Sequence, residues 1–106
     1  MAMKLTQYEA QRMLTRTKPH LLGISSTEKL VLLCLHDRVD AQGQCYPSQE
    51  LLAEDTGLSK RSIVRALKTL VEKGYVAVKR EASHGMYPSN KYHVDIDKIL
   101  DVGLEK

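Results

Sequence analysis

Between Thr56 and Val94 the chain carries eight basic side chains (Lys60, Arg61, Arg65, Lys68, Lys73, Lys79, Arg80 and Lys91) against two acidic ones, Glu72 and Glu81. Residues 26–55 carry two basic and six acidic side chains, and the tail 95–106 is acidic overall, so the net charge of +3 conceals the block. Such a concentration is chemistry for holding a polyanion. Ammonium groups neutralise phosphates as point charges, and guanidinium groups donate paired hydrogen bonds to planar acceptors. Arg61 and Arg65 stand one helical turn apart, and Lys68 follows three residues later.

The other reactive side chains form no comparable set. His20, His36, His84 and His93 have no metal-ligand spacing with one another or with Cys34 and Cys45. His36, next to Asp37, reads as a solvated or capping residue. The six glycines are scattered at 23, 43, 57, 74, 85 and 103, which excludes a glycine-rich phosphate loop. Ser25-Ser26 reads as a helix cap and not as a nucleophile, because no pattern brings a His or Asp to it. Two cysteines without a recurring spacing, and no signal peptide before them, read as reduced thiols of a cytoplasmic protein. No enzyme activity, cofactor, metal or small-molecule ligand is expected.

The 106 residues suffice for one core, and 42% hydrophobic with 27% charged residues is ordinary globular composition. No apolar run approaches the ~20 residues of a membrane-spanning helix. All five aromatic residues are Tyr, so Leu, Ile, Val, Ala and Met must build the core. The same shortage weighs against stacking of single-stranded bases on an aromatic platform.

Elements that would position the basic block follow from caps and periodicity. Thr6 with Glu9 forms a capping box opening a short helix over 5–17, with a thin apolar face of Ala10, Met13 and Leu14; Pro19 and Gly23 then punctuate a linker. Ser25 with Glu28 opens a second helix reaching about Val39, whose wide stripe of Leu30, Val31, Cys34 and Leu35 is broadened by Leu32 and Leu33. Residues 40–46 read as a polar loop. Ser48 caps a third helix that turns Leu51, Leu52 and Ala53 inward and stops at Thr56-Gly57. Gly57 suits the positive φ of a tight inter-helix turn, Leu58 plugs that turn, and Ser59 caps the next helix. That helix runs to Lys73, with Ile63, Ala66, Leu67, Leu70 and Val71 as its apolar series. After Gly74 the period becomes two, with Val76 and Val78, then Tyr92 and Val94, flanking a turn-rich loop over 82–90. A β-hairpin is expected there. Ile96, Ile99 and Leu100 share one face of a C-terminal helix, with Asp95 as its cap.

The order helix, helix, tight glycine turn, helix, hairpin resembles the winged helix-turn-helix domains at the N-termini of phage and plasmid replication proteins and in related small bacterial regulators. The resemblance rests on Glu28–Leu33, Gln44–Ala53, Thr56–Leu67 and Leu70–Val76 and covers about two thirds of the chain. It implies a mainly α fold with a small β wing: a three-helix core plus an antiparallel hairpin over 25–95, preceded by an extension 1–24 and followed by a helical tail 96–106. It implies sequence-specific binding of double-stranded DNA, in replication initiation or transcriptional control, through a recognition helix over 59–73 and a wing over 75–95.

With the apolar series buried, the opposite face of that helix shows Lys60, Arg61, Val64, Arg65 and Lys68. In a major groove, Arg61 and Arg65 are placed to hold guanine O6 and N7, Lys60 and Lys68 to meet phosphates, and Val64 to touch a thymine methyl. Ser59 and Ser62 lie where the helix N-terminus favours a phosphate. Lys79, Arg80, His84 and Lys91 flank the wing and offer a second contact. The terminal apolar segments are spare surface for a homodimer on DNA, unless each folds back on its own domain. The competing reading is a protein-interaction module that works through those same segments, with the basic helix an ordinary solvated face and the wing a plain structural hairpin.

Overall fold

The helices of the computed structural model begin where side-chain caps satisfy the first backbone N–H groups. Residues 5–83 and 87–103 are described, with the backbone alone at 81–83 and 87–89. Helix α1 (Gln7–Arg16) opens on a full capping box: the Thr6 N–H donates to Glu9 Oε1 at 2.9 Å, and the Glu9 N–H donates to Thr6 Oγ1 at 3.1 Å. Ser25 and Glu28 repeat the arrangement at α3 (Ser26–Asp37), at 2.8 and 3.1 Å. Ser48 caps α4 (Gln49–Thr56) through the Leu51 N–H, and Ser59 caps α5 (Lys60–Glu72) through the Ser62 N–H. Between α4 and α5, Gly57 has φ 75° with open space where a Cβ would stand, so a replacement there meets backbone strain but no collision.

Two short elements occupy stretches expected to be irregular. Where a linker is expected, α2 (Pro19–Leu22) forms a single turn, with Pro19 starting the helix and Gly23, at φ 72°, ending it. The two punctuating residues thus bracket a helix that Leu22 and Ile24 anchor in the core. Where a polar loop is expected, β1 (Gln44–Cys45) pairs antiparallel with β3 (Tyr87–Val94), matching Gln44 to His93 and Cys45 to Tyr92. Asp40 makes this pairing possible, because its Oδ1 accepts from the Gln42 and Gln44 N–H groups at 2.9 and 3.0 Å and so folds the turn. Strand β2 (Val76–Ser83) pairs with the other edge of β3, giving a three-stranded antiparallel sheet in the order β1-β3-β2. The fold is therefore mainly helical with a small antiparallel sheet, a winged helix-turn-helix.

One core serves the whole described chain. Leu32, Leu35, Leu52, Ile63 and Leu70 fill it between α3, α4 and α5, and Val76, Tyr92 and Val94 close it from the sheet. Helix α6 (Ile96–Gly103), capped by Asp95, inserts Ile99 and Leu100, while α1 inserts Ala10 and Leu14. Helices α1 and α2 both pack on α6, so the two terminal segments close one side of the domain together. Ala10, Leu14, Ile99 and Leu100 are spent within the chain and are not spare surface, whereas Leu5 and Tyr8 stay exposed on the outer side of the N-terminal segment.

Polar contacts fasten these segments. The Tyr75 hydroxyl donates to the Leu22 carbonyl at 2.7 Å in a buried bond that ties the start of the hairpin to α2. Lys98 Nζ, 5.6 Å above the Tyr75 ring, donates to the Lys73 and Gly74 carbonyls at the end of α5. Tyr75→Phe should leave the Leu22 carbonyl without its partner and cost about 1–2 kcal/mol. A urea titration checks this: the midpoint should fall with the slope unchanged, and an unmoved midpoint would mean that water replaces the hydroxyl.

Three residues differ from their expected places. His36 is 2% exposed and not solvated. Its Nδ1 lies 2.5 Å from Gln11 Oε1, while Gln11 Nε2 donates to the Leu33 carbonyl, so the imidazole donates into an amide that bridges α1 to α3. Burial holds the His36 pKa below the ordinary histidine value and favours the neutral ring. Leu30 and Val71 belong to their helices' apolar series but are 37% and 39% exposed, because each lies at the edge of a stripe wider than the neighbouring elements cover.

Candidate nucleic-acid interface

Helix α5 divides cleanly. Ile63, Ala66, Leu67 and Leu70 are buried, and at 100° per residue the direction opposite them is occupied by Arg61, Arg65, Lys68 and Glu72, all exposed. The three cations thus form one stripe along the helix, closed at its C-terminal end by a carboxylate. Beside the stripe, Val64 (45% exposed) and Val71 line a shallow open groove. Its far bank is the sheet, through Val78, Asn90 and Tyr92, and its N-terminal end is Gln49 of α4. The Asn90 amide donates to the Tyr92 hydroxyl at 3.4 Å, which fixes a polar group on the groove wall.

The remaining candidates of the recognition helix are placed less simply. Ser59 is committed to capping: its Oγ accepts the Ser62 N–H and donates to Ser62 Oγ, both at 3.1 Å. Ser62 is half-buried on the flank of the stripe. Lys60, at the first position of α5, is held by an ion pair in which its Nζ donates to Glu50 Oε2 at 2.7 Å. That bond keeps the Glu50 carboxyl below the usual carboxylate range.

The hairpin separates the wing cations by strand parity. Successive side chains of a strand point to opposite faces, so Arg80 shares the groove-facing side with Val76 and Val78. Lys79 lies opposite Lys91 in the register, and both share the other face with Ala77 and His93. Arg80 therefore extends the surface begun by α5, whereas Lys79 and Lys91 look away from it. His84 lies outside the described residues.

Gln49, Glu50, Val71, Val78 and Asn90 join this surface although the sequence alone places none of them on it. Their roles come from the approach of α4 and the sheet to α5, and no spacing within the chain encodes that approach. The only legible signal was Val78, which continues the period-two pattern past the point where a core can cover it.

Elsewhere the described residues offer little chemistry. Arg38 closes the α3–α4 corner by donating through Nε and Nη2 to Asp55 Oδ2 at 3.1 and 2.6 Å. Burial pushes the Cys34 thiol up and the Cys45 thiol up to about 11, which favours the protonated form of both. Among the described residues no group of His, Cys, Asp and Glu is arranged to hold a metal ion, and no helix is long and apolar enough to cross a membrane.

Comparison with known proteins agrees with this geometry. A family model described as a helix-turn-helix domain matches residues 22–76. A possible transcriptional regulator from Methanosarcina mazei Go1 superposes with a TM-score of 0.63 at 12% identity, over 97% of this chain and 80% of the other. The ST1889 protein of the thermoacidophilic archaeon Sulfolobus tokodaii superposes with a TM-score of 0.59 at 24% identity, over 93% and 89%. The disulfide-formed AbfR follows at 0.51 and 19%, over 94% and 71%. At these identities the likeness is one of fold. None of the curated proteins is significantly similar in sequence.

Proposed function

Because the chain belongs to the helix-turn-helix domain family, we propose that it binds double-stranded DNA in a sequence-specific manner, with α5 in the major groove and the hairpin against the neighbouring backbone. The observation that carries this reading is the stripe of Arg61, Arg65 and Lys68, exposed directly opposite the buried Ile63, Ala66 and Leu67. A helix of this width enters a major groove, where guanidinium groups read guanine and ammonium groups neutralise phosphates. Val64 stands beside the arginines, where a thymine methyl would meet it. Arg80 adds a cation on the same side of the wing.

The biological role we assign is transcriptional regulation in the cytoplasm, supported by the likeness of fold to the possible regulator from Methanosarcina mazei. The resemblance of Gln44–Ala53 and Thr56–Leu67 to phage and plasmid replication proteins supports replication initiation as a second reading. Sites selected from random duplexes and mapped to the source genome separate the two, since they fall in promoters in the first case and at an origin in the second. One recognition helix reads too few base pairs for a genomic address, so two protomers on half-sites about one helical turn apart are proposed. The buried side chains of α1 and α6 are not available to such a joint. Sedimentation of the complex tests the pairing, and one protomer per site would end it.

Binding to duplex DNA should be steeply salt-dependent. Neutralising about four phosphates implies a loss on the order of a hundredfold in affinity for a fourfold rise in salt. Fluorescence anisotropy of a labelled duplex measures it. Absence of duplex binding at low salt would overturn the DNA-binding reading in favour of a protein-interaction module.

A further inference from the structure

We propose that Glu50 is a specificity-determining residue of the DNA-binding face, which holds Lys60 in an ion pair and so withholds one cation from the phosphates of non-cognate duplex. The inference rests on the DNA-binding reading above. Lys60 begins α5, directly before Arg61, and its Nζ lies 2.7 Å from Glu50 Oε2. Glu50 sits in the first turn of α4 next to Gln49, which lines the groove beside Val64 and Lys68. The pair therefore stands on the rim of the surface that must accept a polyanion.

Stability does not account for it. The two side chains are 56% and 67% exposed, and pairs so open to water contribute little to folding. Their position matters for binding instead. A phosphate that claims Lys60 must displace the carboxylate and then remain beside it, two anions sharing one ammonium. Non-specific complexes are held almost wholly by phosphate neutralisation, so they bear this cost in full. In a cognate complex, base contacts from Arg61 and Arg65 set the register, and Lys60 can stay with Glu50 without loss. The carboxylate thus lowers affinity mainly where base contacts are missing.

The test measures binding of the full chain to a random-sequence duplex and to a selected duplex over a salt series, with circular dichroism to verify folding. Glu50→Gln should tighten binding to random duplex about two- to fivefold and steepen its salt slope by roughly one, while the selected duplex gains less. Lys60→Gln, which leaves the Glu50 carboxylate without its cation, should neither tighten random binding nor steepen its slope, and combined with Glu50→Gln it should remove the added slope. Unchanged or weaker random binding by Glu50→Gln would overturn the inference, as would an equal gain on both duplexes. If the wild-type protein binds neither duplex, it is the DNA-binding reading itself that has failed.

Discussion

Ile63→Asp is expected to abolish the cooperative fold. Ile63 is fully buried on the inward face of α5, in the core that this helix shares with α3 and α4. Removing the aliphatic side chain alone would cost about 2–5 kcal/mol, and a carboxyl group at the same place adds the cost of burying a polar group with no partner. Together these exceed about 5 kcal/mol, the lower end of the stability range of ordinary domains. Thermal denaturation followed by circular dichroism should show no cooperative transition at neutral pH, and duplex binding should disappear with it. A variant that still melts cooperatively near the wild-type temperature would mean that the junction of α4 and α5 opens to water readily, against the packing described here.

The second large effect separates reading from holding within the basic surface. Arg61→Ala and Arg65→Ala should each weaken the selected duplex by about 1–3 kcal/mol and relax preference at one or two base pairs, with much smaller losses on random duplex. Lys68→Ala should weaken both duplexes alike and lower the salt slope by roughly one. The sheet register adds a contrast: Arg80→Ala should weaken binding more than Lys79→Ala, because Arg80 shares the groove-facing side with Val78 and Lys79 does not. None of these side chains is buried, so folding should be unaffected. Equal losses on selected and random duplex for both Arg61 and Arg65 would mean that α5 positions the protein without reading sequence. Equal effects of Arg80 and Lys79 would mean that the wing meets the backbone with both faces.

Much of this architecture was legible along the chain because local chemistry sets it. Thr6, Ser25, Ser48, Ser59 and Asp95 each cap a helix, since a short side-chain oxygen satisfies backbone donors only a few residues away. Gly57 and the series Ile63, Ala66, Leu67 and Leu70 likewise marked the turn and the buried face of α5, and that face determined which cations point outward. Tertiary structure decided what depends on partners distant in sequence. A two-residue strand such as β1 shows no period and exists only because β3 offers an edge to Gln44 and Cys45. His36 looks like a surface residue until α1 supplies Gln11 to bond its ring. Val71 fits the apolar series of its helix yet remains open, because the sheet faces it across a groove instead of packing against it. Lys60, alone, is one cation among several; Glu50, ten residues earlier, becomes its partner only when α4 folds back on α5. Spacing determines which face of an element a side chain occupies, and only the packing of elements determines what that face meets.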